Sequence, residues 1–287
     1  MNFFILLTGI ILSQIAMSQS NTFFSGITMD KIELEEVLNA IPKGAVVFLG
    51  EQHGRASIQK AQLEILNGLR NRGHKIHIGM EFLDYTQQSS VNDFRSGLIN
   101  ESEFLKKISW GSIDFNFYRD QILFPKGSSG ETTFAINTPR WLSGEVSKKG
   151  FLGIDEEAKK LFPPQLQLGR DSYKKRFSDL MSGHVTSPEA MQKYFESQSL
   201  WDDTMAWQIS TLPVALTDTV VIIVGQFHIE YGGGLPFQLQ QRFKDRPVIT
   251  IEQLLYYDDE EVPFKDLMPS PTYGPMSDYL LISVEKS

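Results

Sequence analysis

Ala45-Val46-Val47-Phe48-Leu49-Gly50-Glu51-Gln52-His53 is the stretch whose reading decides the fold. Its first five residues are apolar without a break, the pattern of a short strand covered on both faces. Gly50 is expected to let the backbone turn sharply at the strand end. His53 is then delivered just past the carboxyl end of the strand, where open α/β sheets place their ligands. The pattern recurs far along the chain, as Val220-Val221-Ile222-Ile223-Val224 followed by Gly225-Gln226-Phe227-His228. Two histidines presented in the same way are expected to converge on one centre.

Working outward, further strands are predicted over Lys75–Met80, Thr132–Ile136 and Arg246–Ile251, with a last edge strand at Tyr279–Val284. Helices are predicted over Asp30–Leu38, Ile58–Leu69, Gln87–Ser96, Glu101–Ile108 and Phe115–Phe124, the second from apolar residues at Ile58, Ala61, Ile65, Leu66 and Leu69. Alternating strands and helices imply an α/β fold with a central, largely parallel (mixed) sheet flanked by helices. Residues 141–212 show no strand pattern. Ser187 is placed to cap a helix entered at Pro188, and Met191, Tyr194, Phe195, Gln198, Trp201, Met205 and Ile209 follow at helical intervals. This stretch reads as a helical insertion covering the carboxyl ends of the strands. The segment Gln19–Thr28 reads as mobile, and the acidic, proline-rich tail Asp258–Pro275 as a surface wrap.

The chain has 287 residues, 41% hydrophobic and 22% charged, with a formal charge of -8, which argues against a nucleic-acid partner. Residues 1–18 combine a short apolar core with the small-x-small sequence Ala16-Met17-Ser18 and read as a signal peptide. An uncleaved anchor or a buried helix is the competing reading. Residues 19–287 then form a single domain, exported to the periplasm or secreted. With no cysteine in the sequence, disulfides and thiolate ligation are excluded, and no lipid anchor is expected.

Of the five histidines, only His53 and His228 follow a strand and a glycine; Glu81 holds the equivalent place after the second strand. Imidazole and carboxylate are the usual ligands of Zn, Mn and non-haem Fe, so His53, Glu81 and His228 are candidate metal ligands. A metal there would make a bound water acidic enough to act as a nucleophile. Glu51 would serve either as general base or as the group that orients an imidazole. His74 and His77 sit at the other end of their strand and are expected to be structural, and His184 is expected on the surface. Asp203 is either turned to the site or a solvated helix carboxylate. Arg140, after the third strand, is suited either to gripping a carboxylate or phosphate of a ligand or to a structural salt bridge.

Gly50-Glu51-Gln52-His53, Met80-Glu81, Asn137-Thr138-Pro139-Arg140, Asp203-Thr204-Met205-Ala206 and Gly225-Gln226-Phe227-His228 occur in an order that resembles the ChaN-like haem-binding uptake proteins. These stand beside the Tiki, TraB and erythromycin esterase proteins in one superfamily. The resemblance spans roughly Ala45 to Leu255. It implies a strand-end pocket, haem as cofactor, a role in iron uptake with an outer-membrane partner, and a homodimer if haem is shared between two chains. Its Tiki-like side implies instead a metal-dependent hydrolase, with the metal on His53, Glu81 and His228. For haem, His53 and His228 are the expected contacts, with Arg119 and Arg140 near the propionates. No motif places a ligating tyrosine; Tyr118 is the candidate because of its aromatic-rich neighbourhood.

Overall fold

The computed structural model describes residues 20–185 and 187–287, so the expected signal peptide lies outside the described residues. One sheet of eight strands organises the chain: β1 (Ser20–Ser25), β2 (Lys31–Ile32), β3 (Val46–Glu51), β4 (Ile76–Asp84), β5 (Thr133–Asn137), β6 (Thr219–Gly225), β7 (Val248–Tyr257) and β8 (Tyr279–Glu285). Their order across the sheet is β2-β1-β8-β7-β3-β6-β4-β5. Every pairing from β8 to β5 is parallel, and only β1 runs antiparallel to its neighbours. The α/β expectation holds.

The two glycine–histidine strands are the middle pair of the six parallel strands β8-β7-β3-β6-β4-β5. All six residues of β3 and all seven of β6 are buried, because both faces are covered. On one side Val47 and Leu49 pack on Ala61, Ile65, Leu66 and Leu69 of the helix Ala56–Asn71. On the other, Val46, Phe48 and Ile222 meet Met205, Ala206 and Ile209 of Pro188–Ser210, and Leu235 and Leu239 of Leu235–Arg242. Fully burying a residue of this kind contributes about 1.5–3 kcal/mol, which is why an unbroken apolar run settles in the middle of the sheet.

Three expectations are corrected. The segment read as mobile contains β1, held by its full-length ladder with β8 and by the burial of Phe23. That ladder puts β8 inside the sheet rather than at its edge. Gly50 and Gly225 do not turn the chain, since neither has positive φ. They provide space: a Cβ at Gly50 would lie 2.5 Å from Ile229 Cδ1 and 2.7 Å from Glu252 Oε2. The turn before His53 is followed instead by Gly54, at φ +68°.

Among the described residues no strand lies between Asn137 and Thr219; that stretch supplies the helices Arg140–Lys149, Glu156–Lys159, Asp171–Met181 and Pro188–Ser210. The Ser187 hydroxyl accepts from the Ala190 amide at 3.3 Å, capping the last helix as its sequence predicts. Leu142 and Val146 clamp Arg140–Lys149 onto Leu200, Ile154 and Ala158. Among the described residues no helix is long and apolar enough to cross a membrane.

Glu252 is a fully buried acid on β7, beneath Gly50, with neither carboxylate oxygen hydrogen-bonded among the described residues. Burial pushes its pKa up to about 8, against the pull of Arg176. A raised folded-state pKa means that stability is fully present below the unfolded value near 4.5 and is lost as pH rises through 8. Glu252→Gln is expected to remove this loss, leaving the variant more stable than the parent at pH 9 by a few kcal/mol (roughly 2–5) and its denaturation midpoint flatter between pH 5 and 9.

Candidate functional site at the strand ends

β6 lies between β3 and β4, so the three expected strand ends are neighbours. Glu51 pairs with Gly225, and Met80 with Ile223. The two glycine–histidine copies are therefore staggered by one residue, which brings Gly225 up beside the His53 ring. A Cβ on Gly225 would sit 3.0 Å from His53 Nε2 and 3.4 Å from Glu81 Oε2. The missing side chain is what allows the first copy's histidine and the β4 glutamate to close over the end of β6.

His53, Glu81 and His228 come together as expected. His53 Nε2 lies 4.0 Å from Glu81 Oε2, and His228 Nε2 lies 3.5 Å from Glu81 Oε1. Each imidazole is held from behind by a carboxylate. His53 Nδ1 donates to Glu51 Oε1 at 2.9 Å, and His228 Nδ1 donates to Asp202 Oδ1 at 2.6 Å. Both rings thereby turn Nε2 toward Glu81, whose Oε2 accepts from the Gly225 amide at 2.5 Å.

Charge maintains the set. Burial opposes an anion at Glu81, yet the adjacent His228, His53 and the Gly225 amide hold its carboxyl down at about 2. Burial likewise opposes a cation at His228, but Asp202 and Glu81 outweigh it and raise the imidazole to about 10. His53 is raised in the same manner, burial being overcome by Glu51 and Glu81. Asp202 is the exception: burial outweighs the His228 charge and its pKa rises.

Glu51 is buried and saturated. Besides His53, it accepts from Tyr118 Oη at 2.5 Å, Gln59 Nε2 at 2.9 Å and Gln62 Nε2 at 2.7 Å. Such an oxygen set orients an imidazole and leaves no free lone pair facing the cavity for a general base. Tyr118 is fully buried, donates to Glu51, accepts from the Gly54 amide at 3.0 Å, and is held above the ordinary phenol range by burial and by Glu51. It stands behind the site and does not line the cavity. Arg119 is directed elsewhere, bidentate to Glu101 at 2.5 and 2.7 Å. Asp203 is neither in the site nor solvated: it is buried, bound by both arms of Arg242 and by the Gln167 amide. One residue earlier on the helix, Asp202 takes the place beside His228. Sequence reasoning missed it, although the Asp202-Asp203 doublet offered both faces. His77 is buried against Asp218 at the opposite sheet end, as its structural reading requires, and His184 is exposed.

A cavity of about 610 Å³ opens above Glu81. It is lined by Phe82, Phe177, Met181, Tyr194 and Trp201 as apolar and aromatic walls, with Asn137 and Arg140 at one side. Arg140 is exposed, and its guanidinium also borders an adjoining chamber of about 270 Å³. Tyr194, 42% exposed, is the tyrosine that lines the main cavity. Its place in the helical repeat was legible, but its outward direction was not. Among the described residues no group of three or more acidic or histidine side chains is arranged to hold a metal ion.

Residues 37–239 match the family model described as haem-binding uptake, Tiki superfamily, ChaN. The chain belongs to this ChaN family. A similar solved structure is that titled "Cofacial heme binding to ChaN of Campylobacter jejuni": it is 20% identical, covers 92% of this chain and 96% of that one, and has a TM-score of 0.67. Its likeness shows the fold. The type III effector HopBA1 (13% identical, 88% and 93% covered, TM-score 0.45) and a mutant of erythromycin esterase EreC in its open conformation (11%, 91% and 83%, TM-score 0.46) lie further off and carry no inference. No curated protein matches the chain.

In this ChaN-family chain the Asp202–His228 pair is buried, so removing the Asp202 carboxylate leaves the His228 charge to Glu81 alone and its Nδ1 without an anionic partner. Asp202→Asn is expected to cost about 3–5 kcal/mol. It should also bring His228 down from about 10, the stability that its charge supplies below pH 6.5 being lost at correspondingly lower pH. Chemical denaturation and a histidine NMR titration measure the two effects.

Proposed function

We propose that the chain is an exported haem-binding protein that serves haem and iron uptake from the periplasm or cell exterior, acting with an outer-membrane partner. The observation that carries this reading is the strand-end cavity: apolar and aromatic walls, one accessible phenol at Tyr194 and one exposed guanidinium at Arg140. Its size falls within the range of cavities that take ligands of drug size or larger. The donor set fits haem. A tyrosine oxygen is a recognised haem-iron ligand, and a planar guanidinium matches a propionate carboxylate bidentately.

In this reading Tyr194 takes the role first assigned to Tyr118, because the Tyr118 hydroxyl is already engaged with Glu51 and Gly54. Arg140 keeps its role toward a propionate. Arg119 has none, being paired with Glu101. Phe82, Phe177, Met181 and Trp201 exclude water from the macrocycle face. The bound iron would supply a Lewis-acidic, redox-active centre; the protein's part is to bind and shield it. The Campylobacter ChaN protein binds haem cofacially, and on that ground a homodimer enclosing haem between two chains is part of the proposal.

A second reading rests on a different observation, the two carboxylate-held imidazoles facing Glu81. That arrangement favours hydrolysis of a bound ester or peptide; the metal-ion form of the reading requires His53, Glu81 and His228, which do not stand as a metal-holding group in this structure, to close around the ion. Glu51 would then position His53 and not act as base.

Haemin titration of the purified chain is expected to give a saturable Soret band. Tyr194→Phe should lower the affinity at least tenfold and alter the ligand-to-metal charge-transfer bands, whereas Tyr118→Phe should leave those bands in place. Stoichiometric Zn or Mn in the isolated protein, with no Soret change on adding haemin, would replace the first reading with the second.

A further inference from the structure

Gly144 occupies the fifth position of the helix Arg140–Lys149, a place where glycine is costly relative to alanine because the unfolded chain is so free there. The two usual reasons for a helical glycine are both absent. Its φ is not in the left-handed region, and a Cβ built on it would meet nothing within 4 Å. Neither backbone conformation nor packing against the fold requires it. What Gly144 does border is the main cavity.

The rest of that helix face has the same character. Arg140, Ser143, Gly144 and Ser147 all line the cavity, at the i, i+3, i+4 and i+7 spacing of one helical stripe. The Ser143 hydroxyl donates to the Arg140 carbonyl at 3.0 Å, and the Ser147 hydroxyl to the Gly144 carbonyl at 2.9 Å. Both are turned back onto their own helix, so the wall presents no projecting donor. The opposite face of the helix is occupied in holding the fold, through buried Leu142 and Val146. Phe177, Met181 and Tyr194, which also line the cavity, come from the two helices Asp171–Met181 and Pro188–Ser210. The cavity thus combines one low wall without large side chains beyond Arg140 and others bearing large apolar and aromatic groups.

We propose that Ser143, Gly144 and Ser147 form the flat wall of a slot that selects a plate-shaped, largely apolar ligand, and that Gly144 is retained for the gap it leaves at the expense of helix stability. This rests on the haem reading for the identity of the plate, and goes beyond it by naming the residues that set the shape. Arg140, at the head of the same stripe, receives the anionic edge of the plate. The wall itself contributes area and no ligation, so metal-free protoporphyrin and haemin share the shape requirement.

The test pairs stability with binding. Because the Cβ position is open, Gly144→Ala and Gly144→Leu are both expected to fold. Gly144→Ala should melt about 1–4 °C higher than the parent, the ordinary gain from replacing a helical glycine. Its affinity for haemin should nevertheless fall, and that of Gly144→Leu should fall by about 100-fold or more as overpacking blocks the slot. Metal-free protoporphyrin, followed by fluorescence, should lose affinity in parallel, whereas Lys149→Leu, exposed and turned well away from the Gly144 stripe, should change neither. Undiminished binding of haemin and protoporphyrin by Gly144→Leu overturns the slot while leaving the haem reading intact. Failure of the parent chain to bind haemin overturns the haem reading and the plate assigned to the slot together.

Discussion

Enclosure of a row of five ionisable side chains at the carboxyl ends of three parallel strands, with Glu51, Asp202 and His228 buried, Glu81 nearly so and the His53 side chain 36% exposed, is the constraint to which the rest of the site answers. An isolated charge in such a place would neutralise itself or unfold its surroundings. Glu51, His53, Glu81, His228 and Asp202 alternate in chemical type, so each acid faces an imidazole and each imidazole lies between two acids. The surrounding donors complete the set: Tyr118, Gln59 and Gln62 on Glu51, the Gly225 amide on Glu81. Low dielectric makes these contacts strong, and makes the loss of any one of them costly.

The architecture around this row separates support from access. The helix Ala56–Asn71 supplies Gln59 and Gln62 from beneath, and the 3₁₀ turn at Phe115–Phe117 leads into Tyr118, so one flank of the row is sealed. The insertion covers the other flank, contributes Asp202, and leaves a cavity above Glu81. The residues that ligands would touch, Tyr194, Arg140, Phe82 and the Gly144 wall, are thus distinct from those that hold the imidazoles in place. A site with buried support and an apolar, accessible slot suits recognition of a large flat ligand over a preorganised polar floor.

Much of this was legible in the chain. The doubled apolar run with its glycine and histidine identified the central pair of strands, because only a doubly covered strand tolerates such a run. Glu81 followed from its place after the apolar run Lys75–Met80, although β4 runs on through it to Asp84. What escaped was of two kinds. β1, Ser-Asn-Thr-Phe-Phe-Ser, has no alternation to betray a strand; its strand state comes from pairing with β8, a partner about 260 residues away in sequence. Tyr118 and Asp202 were misjudged or missed because a side chain's direction depends on rotation of its helix against the rest of the fold. One residue of offset on a helix is about 100°, enough to send Asp203 to Arg242 and Asp202 to His228.

Local composition by itself determined the α/β class, the central strands, the helical insertion and the identity of the His-Glu-His set, since apolar periodicity and strand-end glycines are written in neighbouring residues. Tertiary structure alone decided that Gly50 and Gly225 provide room and not a turn, that Glu51 is consumed in orienting His53, and that Tyr194 is the tyrosine facing the cavity. Those outcomes depend on strand register and helix rotation, which are set by distant contacts and leave no mark in the adjacent sequence.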